Sequence, residues 1–162
     1  MDIHVRPYRS ADEDKVLALS IRTWSSVFAS MKQLLGRDIF VRLHGEDWQT
    51  YQEKSVREVL ADPAMQVVVA DGERGLAGFV AATLLDPDRR LGEVTMLAVD
   101  PDAHEQGIGT VLTQHATAWL RDNGMRVAMI GTGGDPGHAP ARRTYEKAGY
   151  TLIPMARYFK AL

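Results

Sequence analysis

The sequence predicts a single α/β domain of mixed α+β type, in which a central mixed, twisted sheet of about six to seven strands is flanked by about four helices. The first observation is the order of the apolar patterns, which runs strand, two helices, three strands, helix, strand, helix and one or two strands. The second is a strand–helix–strand unit over residues 93–130, which predicts a right-handed parallel crossover. The third is the length of 162 residues, which fits one domain.

The N-terminal part predicts one strand and two helices. Ile3 to Arg6 alternate in polarity as a short strand does, and proline follows them. Apolar residues at helical intervals then predict a first helix: Leu17, Ile21, Trp24 and Phe28. Residues 29–45 show no clear period. A second helix is predicted by Trp48, Tyr51, Ser55 and Val59, and Asp62-Pro63 ends it.

The middle of the chain predicts a hairpin and then a crossover. Residues 66–70 and 76–85 are apolar runs separated by a glycine-containing turn, which is typical of a β-hairpin. Residues 92–99 form a third, largely apolar strand. A helical pattern from Ile108 to Trp119 ends at Asn123-Gly124, and residues 126–130 form the next strand.

The C-terminal part predicts a helix and two strands. Residues 140–148 have proline in the first turn and glycine just past the end, as helices often do. Tyr150 to Ile153 and Ala156 to Lys160 are short runs that predict two final strands.

The composition excludes several classes of protein. The net charge is -2, so charge alone suggests neither a nucleic-acid nor a membrane partner. The absence of cysteine excludes disulfides, zinc–thiolate sites and a cysteine nucleophile, and it fits a reducing cytoplasm. The five histidines lack metal-ligand spacing, so we expect no metal. We see neither a signal peptide nor an apolar run approaching the roughly 20 residues of a spanning helix.

Two glycines, Gly107 and Gly109, lie between an apolar strand and a helical pattern. A helix N-terminus carries unpaired N–H groups and positive partial charge, and glycine lets an anion approach them, so the loop can bind phosphate. A plain tight turn before a helix is the alternative, because short glycine motifs recur by chance. The segment is neither a Walker loop nor a dinucleotide fingerprint, since no Gly-Lys-Ser/Thr and no third glycine follow.

Two motifs, at the separation found here, resemble those of the GNAT superfamily of acetyl-CoA-dependent N-acetyltransferases. The first is Val99-x-Pro101 followed by Gly107-Ile108-Gly109 and Leu112, and the second is Ala-x-x-x-Tyr-Glu-Lys-x-Gly-Tyr ending at Tyr150. The resemblance covers residues 66–150 closely and the first 65 in outline. The chain departs from the usual pattern at His104, where Arg or Gln is common, and at His138, where many members have Asn.

The resemblance implies acetyl-CoA as the co-substrate. The backbone amides of Gln106 to Thr110 would bind its pyrophosphate, and strand residues near Leu97 would pair with the pantetheine arm, which requires the neighbouring strands to splay apart. The cofactor-binding residues that it implies are Leu97, Ala98, Val99, His104, Gln106, Gly107, Ile108, Gly109, Thr110 and His138.

The resemblance also assigns chemistry. Without cysteine, direct transfer to an amine in a ternary complex is the economical route. Glu93 is the candidate general base, acting directly or through water, and Tyr145 the candidate general acid for the leaving sulfur. A solvated carboxylate and a core tyrosine are the structural alternatives. Trp24, Phe28 and Trp48 are candidates for the wall of the acceptor pocket, or else ordinary core residues.

We therefore expect one N-acetyltransferase domain over residues 1–162: a strand with two acceptor-side helices (1–65), a cofactor-binding and catalytic core (66–150) and C-terminal strands (151–162). The expected partner is a small-molecule or peptide amine, and a homodimer is expected because dimers are common among similar proteins. A non-catalytic acyl-CoA-binding regulatory module is the alternative function. A purely structural domain would leave the two glycines unexplained.

Overall fold

A five-stranded sheet forms the centre of the protein in a computed structural model, which describes residues 3–104 and 106–162. The strands lie in the order of the chain, and only the last pair is parallel. The mixed sheet confirms the predicted fold class, with fewer strands than expected. The strands are β1 (His4–Pro7), β2 (Gln66–Gly72), β3 (Gly75–Asp86), β4 (Leu91–Val99) and β5 (Val127–Ile130).

Four α-helices in the described part of the chain cover the sheet: α1 (Glu13–His44), α2 (Trp48–Ala61), α3 (Ile108–Asp122) and α4 (Ala139–Lys147). Helix α1 is longer than the sequence pattern indicates, because it continues beyond a kink at Gly36, whose φ is 75°. Helix α2 starts where predicted, since the Asp47 carboxylate accepts the Gln49 N–H at 3.1 Å. No helix in the described residues is both long and apolar enough to cross a membrane.

The sheet has a hydrophobic core on each face. Alternate residues of the hairpin strands point to opposite faces, so Val68 and Val80 pack with Leu112 of α3, while Val69 and Phe79 pack on the side of α1 and α2. Helix α3 therefore covers one face and the pair α1–α2 covers the other, as the predicted layer arrangement requires.

Strands β4 and β5 diverge halfway along β4. Their parallel pairing runs from Leu91 opposite Val127 to Val94 opposite Ile130 and ends there, although β4 continues to Val99. The predicted splay is thus present in the backbone. The divergence leaves the second half of β4 without a neighbouring strand on the β5 side. Ligands of open α/β sheets bind where two neighbouring strands separate in this way.

The two predicted C-terminal strands, residues 150–153 and 156–160, do not form, so that prediction is wrong. The chain leaves α4 at Tyr150, whose hydroxyl lies 2.9 Å from the Thr117 hydroxyl on α3, so the tail starts beside α3 and has no strand partner there. Pro154 in its middle also lacks an N–H for a ladder. Several apolar side chains of the tail are exposed: Leu152, Ile153, Met155, Tyr158, Phe159 and Leu162.

Candidate active site

A cavity of about 930 Å³ lies where β4 and β5 diverge. Its walls come from the end of β4, the start of α3, the loop after β5, helix α4, and the facing sides of α1 and α2. The size suits a small-molecule site, and the position is one at which sheets of this kind bind ligands. Most of the residues singled out from the sequence line this cavity.

The N-terminus of α3 presents free backbone donors to the cavity. Gly107 is the N-cap residue, and no side chain among the described residues caps this helix end. The first intrahelical hydrogen bond goes from the Val111 N–H to the Gly107 carbonyl at 3.0 Å. The N–H groups of Ile108, Gly109 and Thr110 therefore have no partner within the helix, and all three residues line the cavity. This arrangement can bind an anion.

The two glycines are required for different reasons. Gly107 has a φ of 79°, and a Cβ there would meet no atom within 4 Å. Gly109 has an ordinary φ, but its Cβ would lie 3.1 Å from the Thr144 Cγ2 on α4. Gly107 therefore allows the left-handed backbone conformation at the N-terminus of α3, whereas Gly109 lets α3 and α4 approach each other.

The second half of β4 forms another wall. Leu97 and Val99 line the cavity, whereas Ala98 is buried in the core on the α1–α2 side. The Val99 carbonyl accepts hydrogen bonds at 3.2 Å from the Thr23 hydroxyl and from His104 Nε2, which fixes the end of the strand against α1 and the following loop. Of the predicted cofactor residues, Gln106 is exposed and does not line the cavity.

Tyr145 and Glu93 occupy different positions relative to the cavity. Tyr145 lines it from α4, and burial, together with Tyr150, raises the pKa of the Tyr145 hydroxyl to about 12. That hydroxyl stays protonated at any physiological pH. Glu93 lies on β4 opposite Thr83 and Met129, two residues before Thr95, and is not among the lining residues.

The glycine-rich loop after β5 is held by polar contacts. The Asp135 carboxylate accepts hydrogen bonds from the Ser30 hydroxyl at 2.8 Å and the Gly137 N–H at 3.0 Å, and it pairs with His138 Nδ1. Burial raises the pKa of Asp135, but the hydrogen bonds from Ser30 and His138 outweigh burial and the pKa is lowered overall. Arg142 donates to the Gly133 carbonyl at 2.6 Å. These bonds tie the loop to α1 and α4 and place His138 on the cavity wall.

The opposite part of the cavity is aromatic. Trp24 and Phe28 line it, whereas Trp48 packs on Phe28 with ring centroids 4.8 Å apart and does not line it. His44 and Gln52 also line this part. We refer to the part of the cavity lined by the α1 and α2 side chains as the aromatic half.

Among the lining residues that sequence reasoning missed are His44, Tyr51, Gln52, Arg143 and Lys147. Arg143 and Lys147 lie within the motif that contains Tyr145. The sequence of this motif does not indicate which of its charged side chains face a ligand. His44 lies in the segment without a clear period, and Gln52 is a polar residue of an amphipathic helix. Neither of these two has a local signal, because the packing of α2 on α1 is what buries Gln52 and half-buries His44.

Comparison with known families gives one match to most of the chain. The model of the "Acetyltransferase (GNAT) family" matches residues 29–150. A mycothiol acetyltransferase from Beutenbergia cavernae is 32% identical over 143 residues, which cover 88% of this chain and 42% of that protein. The chain spans less than half the length of the curated mycothiol acetyltransferases that it matches.

Solved structures share the fold. The PaiA N-acetyltransferase from Thermoplasma acidophilum, in complex with coenzyme A, has a TM-score of 0.69 and 13% identity, covering 96% of this chain and 94% of its own. An acetyltransferase of the GNAT family from Staphylococcus aureus Mu50 also has a TM-score of 0.69, with 14% identity, covering 94% of this chain and 87% of its own. At such low identity these matches establish the architecture alone.

Proposed function

Because the chain belongs to the GNAT acetyltransferase family, we propose that it transfers an acetyl group from acetyl-CoA directly to a primary amine. One observation carries this proposal. A single cavity is lined by the N-terminus of α3, the unpaired edge of β4, Tyr145 and an aromatic half with room for a second molecule. A site for one substrate alone would not need both halves.

The cofactor side of the cavity fits the chemistry of acetyl-CoA. A pyrophosphate needs several hydrogen-bond donors and positive charge, which the amides of Ile108 to Thr110 and the side chains of Arg143 and Lys147 offer. The amides of a pantetheine arm need backbone partners, and β4 beyond Val94 has no neighbouring strand on that side. His104 and His138 lie on the same walls and are proposed to contact the cofactor.

The proposed reaction forms one bond and breaks another. Bound acetyl-CoA supplies a thioester, whose acyl carbon accepts the lone pair of an unprotonated amine. Glu93 takes the proton from the amine, through water because Glu93 lies outside the lining residues. Tyr145 donates its hydroxyl proton toward the sulfur as the carbon–sulfur bond breaks. The products are an acetylated amine and free CoA.

A non-catalytic acyl-CoA-binding module is the competing proposal. It would use the α3 N-terminus and the β4 edge in the same way, but it would not need a protonated tyrosine in the cavity. The relatives named mycothiol acetyltransferases also support an enzyme, and a mycothiol-related small molecule is one candidate acceptor. We favour catalysis for these two reasons.

Release of free thiol from acetyl-CoA tests the two proposals. The protein is mixed with acetyl-CoA and a panel of small and peptide amines, and the thiol is followed with a chromogenic reagent. An enzyme releases CoA only when a suitable amine is present. Binding of acetyl-CoA without amine-dependent release across the whole panel would support the regulatory module.

We further propose that the protein is a homodimer in which the tail, residues 151–162, of each copy pairs along β5 of the other. In the described residues β5 is an edge strand, and its Val127 is 56% exposed. The tail forms neither helix nor strand and carries exposed apolar residues, of which Tyr158 is 90% exposed. Each copy thus has an unpaired strand edge, β5, and an unpaired segment, the tail. In a dimer with two-fold symmetry, the tail of each copy can pair with β5 of the other copy.

A further inference from the structure

Three buried polar atoms without a hydrogen-bond partner lie in one place. Within the described residues, the buried side-chain nitrogen and oxygen atoms that lack a partner are Nδ1 and Nε2 of His44 and Nε2 of Gln52. Both residues line the aromatic half of the cavity, and Gln52 is only 4% exposed. Buried polar atoms are almost always paired in folded proteins, so a cluster of unpaired ones on a cavity wall indicates a ligand that completes them.

Packing holds His44 in place without satisfying its nitrogens. Its ring lies 5.0 Å from the ring centroids of Phe28 and Tyr51 and 4.9 Å from that of Phe40. Of these three side chains only Tyr51 has a polar atom, and its hydroxyl makes no hydrogen bond to either His44 nitrogen. The ring is therefore oriented by aromatic contacts, and its two nitrogens are left for a molecule in the cavity.

The chemistry of the two side chains defines what they can bind. Burial lowers the pKa of His44, so the ring is neutral at physiological pH and carries one N–H donor and one lone pair. The Gln52 amide nitrogen offers N–H donors only. Hydroxyl groups match both side chains, because a hydroxyl can donate to the imidazole lone pair and can accept from the amide.

The charge of the cavity excludes a class of acceptors. Among the described residues that line it, none is Asp or Glu, and the permanent cations are Arg143 and Lys147. An acceptor with several ammonium groups would leave its charges unpaired on entering this cavity, which is strongly unfavourable. An acceptor with one amine carries a single charge, which is lost when Glu93 takes its proton through water, so it largely avoids that penalty.

Building on the proposed acetyl transfer, we propose that His44 and Gln52 form the acceptor subsite and that the acceptor is a hydroxylated monoamine, such as an amino sugar, and not a polyamine. The hydroxyl groups of the acceptor complete the hydrogen bonding of both side chains. Its carbon framework packs on Trp24 and Phe28, which line the same half.

Three amines and three variants test the subsite. The amines are glucosamine, its ring-sized counterpart without hydroxyls (cyclohexylamine) and spermidine. The variants are Gln52→Leu, His44→Phe and, as a matched control, Gln49→Leu, which makes the same change at an exposed position of the same helix outside the cavity. We expect wild-type kcat/KM to be highest for glucosamine. Gln52→Leu and His44→Phe each lower it about 10- to 100-fold for glucosamine, but not for cyclohexylamine.

Two further measurements separate this proposal from the proposed function. Calorimetric binding of glucosamine to the CoA-saturated protein requires no turnover, and we expect Gln52→Leu to abolish it while Gln49→Leu does not. The melting temperature of Gln52→Leu should stay level or rise, because an unsatisfied donor is removed. Absence of thiol release with every amine would overturn the proposed acetyl transfer but not the acceptor subsite. Equal binding of glucosamine by wild type and Gln52→Leu, or a preference for spermidine, would overturn the subsite.

Discussion

The Tyr145 hydroxyl is well suited to donate a hydrogen bond to the leaving sulfur and poorly suited to lose its proton completely. Its pKa of about 12 lies well above the roughly 8.5 of an ordinary thiol, so complete proton transfer to the departing sulfur is uphill. A hydrogen bond to the developing charge, with transfer late in the step, is the form of catalysis that this difference favours. We therefore expect Tyr145→Phe to slow single-turnover acetyl transfer by about 10²-fold, at the lower end for general acids.

Tyr150→Phe is the matched control for this prediction. Tyr150 has its ring 6.3 Å from that of Tyr145, but its hydroxyl is bonded to Thr117 and it does not line the cavity. We expect Tyr150→Phe to cost about 1 kcal/mol of stability and to leave turnover intact. Affinity for acetyl-CoA should change little in Tyr145→Phe. A wild-type single-turnover rate in that variant would remove the general-acid role.

Glu93 is expected to act on the amine. Glu93→Gln should lower turnover most at low pH, where the amine is mainly protonated, and least at high pH, where the amine arrives already deprotonated. Calorimetric affinity for acetyl-CoA should not change, and Glu73→Gln in the exposed hairpin turn serves as control. A Glu93→Gln profile that matches wild type at every pH would show that Glu93 is not the base.

At this scale, the residues that could be predicted are those with a local pattern. Gly107 and Tyr145 belong to short motifs whose spacing is visible in the sequence. His44 and Gln52 become a pair only because α2 folds back on α1, and no local pattern reports which polar residues such packing buries. Resemblance selected Ala98 along with its neighbours, but strand alternation turns its side chain into the core.

Among the helices and strands, the N-terminus of α3 gives the most specific prediction, which concerns the binding of acetyl-CoA. Gly107 and Gly124 both have positive φ, 79° and 86°, and at both a Cβ would meet no atom within 4 Å. Gly107→Ala and Gly124→Ala should each cost about 1–2 kcal/mol of stability, from the left-handed backbone. Only Gly107→Ala should also weaken acetyl-CoA binding, by about tenfold, because its Cβ enters the cavity beside the free amides. Calorimetric titration of both variants provides the comparison, and equal affinities would contradict a pyrophosphate site here.

The elements that were predicted well have complete local signals. The hairpin of β2 and β3 has two apolar runs around a glycine turn, and α2 has a capping aspartate and a following proline. The second part of α1 was missed because Gly36 interrupts the pattern that precedes it. The C-terminal strands were predicted wrongly because apolar composition favours an extended segment, but it does not specify the edge that pairs with it.

For the molecule as a whole, we predict that the homodimer depends on the exposed tail, residues 151–162. A chain truncated after Tyr150 should be a monomer in sedimentation equilibrium, whereas the intact chain should be a dimer. The double variant Leu152→Asp/Tyr158→Asp should behave like the truncated chain, because it charges two exposed apolar positions without shortening the tail. An intact chain that is monomeric at micromolar concentration would contradict tail exchange.

Direct transfer requires acetyl-CoA and the amine to occupy the cavity together, and a chain without cysteine has no thiol to carry the acetyl group between them. Initial rates of CoA release, measured while both substrates are varied, test this most directly. We predict double-reciprocal lines that intersect, as sequential formation of a ternary complex requires. Parallel lines, together with an acetylated protein detected by mass spectrometry after incubation with acetyl-CoA alone, would contradict it.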